Sequence, residues 1–169
     1  MADAAADHGW LHAGRVGRPH GLDGSFLVAD VNAALLLSVD SIMIDGVERA
    51  IVRRAGHDAR VILAIEGCMD RNGAEAIRGR QLLVARSQAP ELDEDEWWAE
   101  DLEGLTVVDG ERRVGTVSRL LALPSCEVLE VARAEGGEPL LVPLISDAVR
   151  TVDLEHARID VDLSFLGEE

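Results

Sequence analysis

The sequence predicts a mostly β protein made of two small barrel domains, and two observations lead to that fold class. Short aliphatic runs alternate with Asp-Gly and Gly-Gly pairs, which favour β-hairpins because their tight turns need positive φ angles. The distribution of charge also changes sharply near residue 89, which divides the 169 residues into two parts. Because closing many short strands into barrels removes exposed strand edges, we expect two mostly antiparallel barrels.

The turn pairs locate the expected hairpins along the chain. They fall at residues 45–46, 109–110 and 136–137, and each pair lies between two apolar runs. Near the end of the sequence, apolar and charged side chains alternate over residues 158–163. This period of two is typical of a strand with one buried face.

One segment alone has a clear helical pattern. Asn72 stands in a capping position, Glu75 follows three residues later as in a capping box, and Gly79 can end the helix in a left-handed turn. We therefore predict one short helix near the end of the first domain.

An acidic segment marks the expected domain boundary. Residues 89–96 contain a proline followed by five acids in six positions, a composition typical of an exposed linker. We therefore expect a first domain at residues 8–88 and a second domain at residues 97–169.

The two parts of the chain differ strongly in charge. Residues 1–88 hold 11 acidic and 10 basic side chains, whereas residues 89–169 hold 21 acidic and 6 basic side chains. The net charges are therefore −1 and −15. An acidic half repels a phosphate backbone and favours a basic protein partner, although acidity that serves only solubility is the alternative.

Several classes of site are not indicated by the sequence. Cys68 and Cys126 lie far apart without metal-ligand spacing, which predicts reduced thiols in a cytoplasmic protein. His8 and His12 have the spacing of a helical metal pair, but they lie beside glycines near the terminus, so we expect no metal there. The start of the chain lacks the features of a signal peptide, and the aliphatic run at 33–37 is too short for a membrane span, so we expect no membrane segment.

No local catalytic motif is present. The sequence contains no G-x-S-x-G elbow, no P-loop, no H-E-x-x-H pair and no dinucleotide-binding glycine motif between a strand and a helix. The sequence therefore indicates no local catalytic site and no cofactor, although catalytic groups need not be close in sequence. A small-molecule-binding barrel enzyme, with a site assembled from distant residues, is the alternative.

The most distinctive segment is a glycine-rich loop. Residues 14–26 contain four glycines and one proline directly before an apolar run. Arg15, Arg18 and His20 lie between these small residues, and Gly21 follows them. Glycine permits positive φ angles and close approach of another surface, so this segment predicts a shaped turn that presents cations.

This loop resembles the N-terminal motif of the RimM family, the bacterial ribosome maturation factors that are also called 16S rRNA processing proteins. Three further stretches resemble the same family in the same order. They are Asp70 to Leu82, Trp97-Trp98 with Asp101 to Leu105, and Val142 to Ile145 with the valines and aspartate that follow. The resemblance implies a translation-factor-like barrel followed by a PRC-type barrel, a fold named for the photosynthetic reaction centre.

The resemblance also implies a function and two kinds of partner. It implies a non-catalytic monomer that binds the immature 30S subunit near its head, through small-subunit ribosomal protein nineteen and the neighbouring 16S rRNA. The aromatic pair of the family is implicated in partner recognition, so the expected protein-binding residues are Trp97, Trp98, Asp101 and Leu102. The expected RNA-binding residues are Arg15, Arg18, His20 and Gly21.

Some positions depart from the family pattern. Asp23 stands where the family usually has Arg or Lys, which removes a cation from the loop, and Ser25 stands where Glu is usual. Cys126 lies in a turn that is typically small and polar, and two tryptophans replace two tyrosines. A PRC-type adaptor for another complex is therefore a further alternative.

Overall fold

The structure is a computed structural model that describes residues 9–57 and 59–168. The chain divides into two compact units between Glu94 and Asp95, and each unit is described by itself below. His8 lies outside the described residues. Within the described part of the chain, every helix is too short or too polar to cross a membrane.

The first unit is a closed six-stranded barrel, as the sequence predicts. Its strands follow the order β1-β2-β5-β4-β3-β6, and all neighbouring pairs are antiparallel. Aliphatic side chains and one phenylalanine, Phe26, fill its core. The strands are β1 (Trp10–Pro19), β2 (Phe26–Ala29), β3 (Ser41–Ile44), β4 (Val47–His57), β5 (Arg60–Ile65) and β6 (Gln81–Ala85).

In the described part of the unit, two α-helices connect these strands and a short 3₁₀ helix follows β6. The first, α1 (Ala33–Ser38), was not predicted; the Asn32 side chain accepts a hydrogen bond from the Leu35 amide at its N-terminus. Its six residues are too few for a clear amphipathic pattern, which explains why the sequence does not reveal it. The 3₁₀ helix spans Arg86–Gln88.

The predicted helix is present as α2 (Arg71–Ala76), but its cap differs from the prediction. Asp70, not Asn72, is the N-cap, and its Oδ1 accepts a hydrogen bond from the Gly73 amide at 2.7 Å. Asn72 already lies within the first turn of the helix, so it cannot cap it. Gly79 has a φ of +84°, which confirms the predicted left-handed turn.

The second unit holds a six-stranded sheet that curls into a half-barrel. The order is β10-β9-β8-β7-β12-β11, and all pairs are antiparallel except β7 with β12. A helix that was not predicted, α3 (Ala99–Leu102), precedes the sheet. The strands are β7 (Thr106–Asp109), β8 (Arg112–Ala122), β9 (Glu127–Arg133), β10 (Leu140–Pro143), β11 (Val149–Asp153) and β12 (Arg158–Val161).

The predicted turns join the expected strands in both units. Asp45 and Gly46 have φ angles of 50° and 78°, as a primed turn between β3 and β4 requires. The pairs at 109–110 and 136–137 connect β7 to β8 and β9 to β10. In β12 the buried and less buried side chains alternate, which confirms the predicted half-buried strand.

Candidate functional site

The glycine-rich loop connects β1 to β2 at one end of the barrel. The His20 amide donates a hydrogen bond to the Ser25 carbonyl at 2.7 Å, which closes the loop at its base. Gly21 and Gly24 have φ angles of +75° and +82°, so both occupy the left-handed region that favours glycine. The loop is therefore a defined turn, and Gly21 lies exposed within it.

The three predicted RNA-binding cations lie on or near this loop and differ in their surroundings. Arg15 is exposed on β1, and its Nε lies 3.6 Å from a carboxylate oxygen of Asp30. Arg18 and His20 are also exposed, and within residues 9–57 and 59–168 their side chains have no ion pair or hydrogen bond. Two of the three cations are therefore available to an anionic partner.

Asp23 brings a further cation to the loop. Nη2 of Arg53, from β4, lies 2.8 Å from Oδ2 of Asp23 and donates a second hydrogen bond of 2.8 Å to the buried Ser25 hydroxyl. Hydrogen bonds from Ser25, together with the Arg53 charge, lower the pKa of Asp23. The negative charge of Asp23, which stands where the family usually has a cation, is thus balanced by Arg53 from β4.

The two tryptophans of the second unit have different environments. Trp98 is 9% exposed and adopts an extended conformation as the N-cap of α3. Trp97 is partly exposed and packs against the core of the unit. Adjacent residues point in different directions, so the two indoles do not face the core equally.

Trp97 lines a surface groove of about 430 Å³. The groove is lined by residues of β11, by the loop after β10 and by the segment that carries Trp97. The remaining lining residues are Asp95, Leu144, Ile145, Ser146, Val149, Arg150, Thr151 and Val152.

Arg150 is the cation of this groove, and three carboxylates surround it. Its Nη1 lies 2.7 Å from Asp109 Oδ1 and 3.0 Å from Asp160 Oδ1, and its Nη2 lies 3.2 Å from Asp162 Oδ2. Nη1 also donates a hydrogen bond to the Val161 carbonyl at 2.7 Å. These acceptors raise the pKa of Arg150, foremost through the hydrogen bond to Asp109. The guanidinium therefore ties three strands together.

The predicted protein-binding residues after the tryptophans separate into one at the surface and one in the core. Asp101 is partly exposed on α3, between Glu100 and the exposed Glu103. Partial desolvation of the Glu103 carboxyl, together with repulsion from Glu100, raises its pKa. Leu102 is 0% exposed and belongs to the core of the unit, so its side chain cannot contact a partner, and the prediction for it is not retained.

Comparison with known sequences decides the family. The sequence profile described as the RimM N-terminal domain matches residues 11–89, and that of the RimM PRC barrel domain matches residues 99–164. The chain belongs to the RimM family. It is 33% identical over 157 residues to ribosome maturation factor RimM of Symbiobacterium thermophilum, with 90% of each chain covered.

Other RimM proteins also match the chain. The ribosome maturation factor RimM of Frankia alni is 34% identical over 166 residues, which cover 88% of this chain and 91% of the relative. Among solved structures, the 16S ribosomal RNA processing protein RimM of Pseudomonas aeruginosa is 24% identical. That match has a TM-score of 0.43 and covers 90% of this chain and 96% of the other.

Sequence reasoning missed the groove and the arginine that supports the loop. The groove depends on residues 144–152, which the sequence presents as an ordinary strand and turn. Arg53 lies 30 residues from Asp23 in the chain, and only the pairing of β4 with β5 and of β5 with β2 brings it there. In the sequence, the one indication of such an arginine is Asp23 itself, a carboxylate in a loop that otherwise carries basic side chains.

Proposed function

We propose that this RimM chain binds the assembling 30S subunit at its head and catalyses no reaction. Its relatives are named ribosome maturation factors and, in one case, a 16S ribosomal RNA processing protein. The observation that carries the proposal is the division of charge, −1 over residues 1–88 and −15 over residues 89–169. Such a division matches two different partner chemistries, RNA for the first unit and a basic protein for the second.

In the second unit, the proposed partner is small-subunit ribosomal protein nineteen, a basic protein. Trp97 is the proposed contact residue because a partly exposed indole, beside a groove lined by apolar and polar side chains, offers a large area that a partner can desolvate. Trp98 supports it from a buried position, and Asp101 with its acidic neighbours contributes the attraction for a cationic surface.

In the first unit, the glycine-rich loop is the proposed contact with 16S rRNA. Arg18 and His20 have no competing anion among the described residues, so the energetic cost of releasing them to a phosphate is small. Arg15 would exchange its exposed pair with Asp30 for a phosphate, and exposed pairs are worth little. Gly21 lets the RNA approach the backbone closely.

The proposed mechanism is transient binding. The factor binds the immature arrangement of protein and rRNA more tightly than the mature one, so it shifts the population toward arrangements from which maturation proceeds. It leaves when the mature geometry weakens its contacts.

The groove near Trp97 has the size of a small-molecule site, but its polar groups favour a structural role. Arg150 is engaged by three carboxylates and one carbonyl, so it is held in place rather than presented to a substrate. A general acid or base needs a group that can exchange a proton near neutral pH, and the raised pKa of Arg150 excludes it from that role.

Affinity capture of the tagged chain from a lysate tests the proposal. We expect 30S particles with unprocessed 16S rRNA to be enriched over mature 30S particles, as judged by sedimentation and primer extension. The Trp97→Ala variant should lose this enrichment, whereas Leu154→Ala, which removes an exposed leucine of the same unit, should retain it. Equal recovery of mature and immature particles, or capture of a different complex, would contradict the proposed function.

A further inference from the structure

Two loops lie against each other at one end of the first barrel. Because β2 and β5 are antiparallel, the loop before β2 (residues 20–25) and the segment after β5 (residues 66–71) emerge at the same end. The backbones meet at Gly24, where an added Cβ would lie 2.2 Å from the Cys68 carbonyl oxygen. We call residues 20–25 and 66–71 together the two-loop tip.

Internal hydrogen bonds hold the two-loop tip in one shape. The Cys68 thiol donates a hydrogen bond of 3.3 Å to the Gly24 carbonyl, and burial raises the pKa of that thiol, so it remains a donor at neutral pH. The Asp70 side chain caps α2 directly behind the second loop. A surface with so little freedom loses little conformational entropy when it binds a partner.

The two-loop tip presents apolar side chains to solvent. Met69 is 85% exposed and Leu22 is 79% exposed, and no other large apolar residue in the described part of the chain is as exposed as either. Each loop contributes one of them, one or two residues from the contact between Gly24 and Cys68. Single exposed apolar residues are ordinary. Two on adjoining rigid loops form a shared apolar surface whose exposure to water is unfavourable.

Basic side chains without partners among the described residues lie in or next to the same two loops. Arg18 and His20 border the first loop, and Arg71 ends the second; none has a side-chain ion pair or hydrogen bond within residues 9–57 and 59–168. Of the three acids in these loops, Asp23 pairs with Arg53, Asp70 caps α2, and Glu66 is exposed. The tip therefore combines exposed apolar side chains with two exposed arginines at its border, Arg18 and Arg71.

We propose that the two-loop tip binds RNA whose bases are unstacked, with Leu22 and Met69 packing on the bases and the flanking cations contacting phosphates. The proposal rests on the proposed function and specifies the class of RNA element that the first unit takes. Apolar side chains gain nothing from the phosphates of a regular duplex, and its stacked bases give them no face to cover. A loop or bulge exposes base faces next to a charged backbone and so matches both features.

The test compares two RNA probes with the full-length chain at moderate salt: a hairpin with an unpaired loop and a fully paired duplex of equal length. We expect the wild type to prefer the hairpin and the double variant Leu22→Gln/Met69→Gln to bind it about fivefold or more weakly, with duplex affinity unchanged. Arg18→Gln/Arg71→Gln should weaken binding to both probes and reduce the salt dependence. Leu37→Gln, a half-exposed leucine on α1 at the opposite end of the barrel, is the matched control and should behave as wild type.

The outcomes separate the possible occupants of the two-loop tip. Equal affinity of the wild type for hairpin and duplex, or hairpin binding that survives the Leu22 and Met69 changes, overturns the proposal. So does a double variant that loses capture of immature particles while it keeps its RNA affinity, since that result identifies a protein at the tip. If the wild type fails to enrich immature particles, the proposed function fails, and the hairpin-to-duplex ratio still decides the inference about the tip.

Discussion

Arg53 on β4 and Asp23 in the glycine-rich loop are joined by an ion pair of 2.8 Å. The same guanidinium nitrogen bonds to the Ser25 hydroxyl, so one arginine fixes both ends of the short segment before β2. The pair explains how the loop tolerates an acid where the RimM family usually carries a cation. It also removes Asp23 as a competitor for the exposed arginine and histidine nearby.

The first prediction concerns the titration of Asp23. Because the folded state lowers the pKa of this carboxyl, its ionised form stabilises the loop at neutral pH, and that contribution is lost as the pH falls through the lowered pKa. Ser25→Ala should raise the pKa most, and Arg53→Gln should raise it less, as followed by NMR of the Asp23 carboxyl carbon. Arg60→Gln, which removes an exposed arginine from β5, should leave it unchanged; an equal shift in all three variants would refute the assignment.

The second prediction concerns the contact between the loops. In Gly24→Ala, the new methyl group would lie 2.2 Å from the Cys68 carbonyl oxygen, at a φ of +82°. Gly79→Ala has the same backbone strain, with a φ of +84°, but open space around it, so it should cost roughly 1–2 kcal/mol of unfolding free energy. We expect Gly24→Ala to cost at least ~2 kcal/mol more in urea unfolding, because the backbone must move. Similar losses for both would mean that the loops do not press together.

The fold could be predicted from the sequence wherever local chemistry decides it. Asp45-Gly46 adopts the positive φ angles of a tight hairpin turn, which aspartate and glycine tolerate better than most residues. α1 and α3 could not be predicted, because helices of six and four residues are too short to show periodicity and depend on tertiary packing. The N-cap of α2 was misplaced by two residues for a related reason: Asp70 and Asn72 are both good caps, and only backbone geometry selects Asp70.

The candidate site was less predictable, because its parts come from distant segments. The exposed cations Arg18 and His20 are visible in the sequence, since they lie within a glycine-rich run. The neighbouring Met69 becomes a candidate only when the contact between Gly24 and Cys68 brings its loop alongside. Leu102 follows the tryptophans in sequence, but the helical turn of α3 directs its side chain into the core.

The third prediction concerns Arg150. In Arg150→Gln, the carboxylates of Asp109, Asp160 and Asp162 lose their shared cation and repel one another, so the unfolding temperature should fall. Added salt should narrow the difference from wild type, since salt screens this repulsion. Arg119→Gln, which removes a pair with the single carboxylate of Glu130, is the control and should lower the unfolding temperature less. Calorimetry at two salt concentrations measures the unfolding temperatures of both variants. An equal decrease for Arg150→Gln and Arg119→Gln would argue against a network around Arg150.

The fourth prediction separates the two tryptophans. Trp98 is 9% exposed, so Trp98→Ala should leave a cavity and lower the unfolding free energy by about 3–5 kcal/mol. Trp97→Ala should lower it less, because part of that indole is already in water, but should weaken binding of the ribosomal protein by more than ~2 kcal/mol. Titration calorimetry on the folded Trp97 variant measures the second effect. Full-strength binding by that variant would eliminate Trp97 as the contact residue.

The fifth prediction uses the division of charge between the two halves. If the half with a net charge of −15 binds the basic ribosomal protein, a fragment of residues 89–169 should bind it alone. Its association rate should fall steeply between low and physiological salt while its dissociation rate changes little, because long-range attraction acts on the encounter. Residues 1–88, with a net charge of −1, lack that field and should bind the protein weakly.

Surface plasmon resonance on both fragments at two salt concentrations decides among three assignments of the acidic charge. A salt-sensitive association rate for residues 89–169 alone supports the proposed division of roles between the units. Acidity that serves only solubility predicts no binding by that fragment at either salt concentration. Affinity carried by residues 1–88 would reverse the roles, because a nearly neutral unit must then bind the protein through packing rather than through charge.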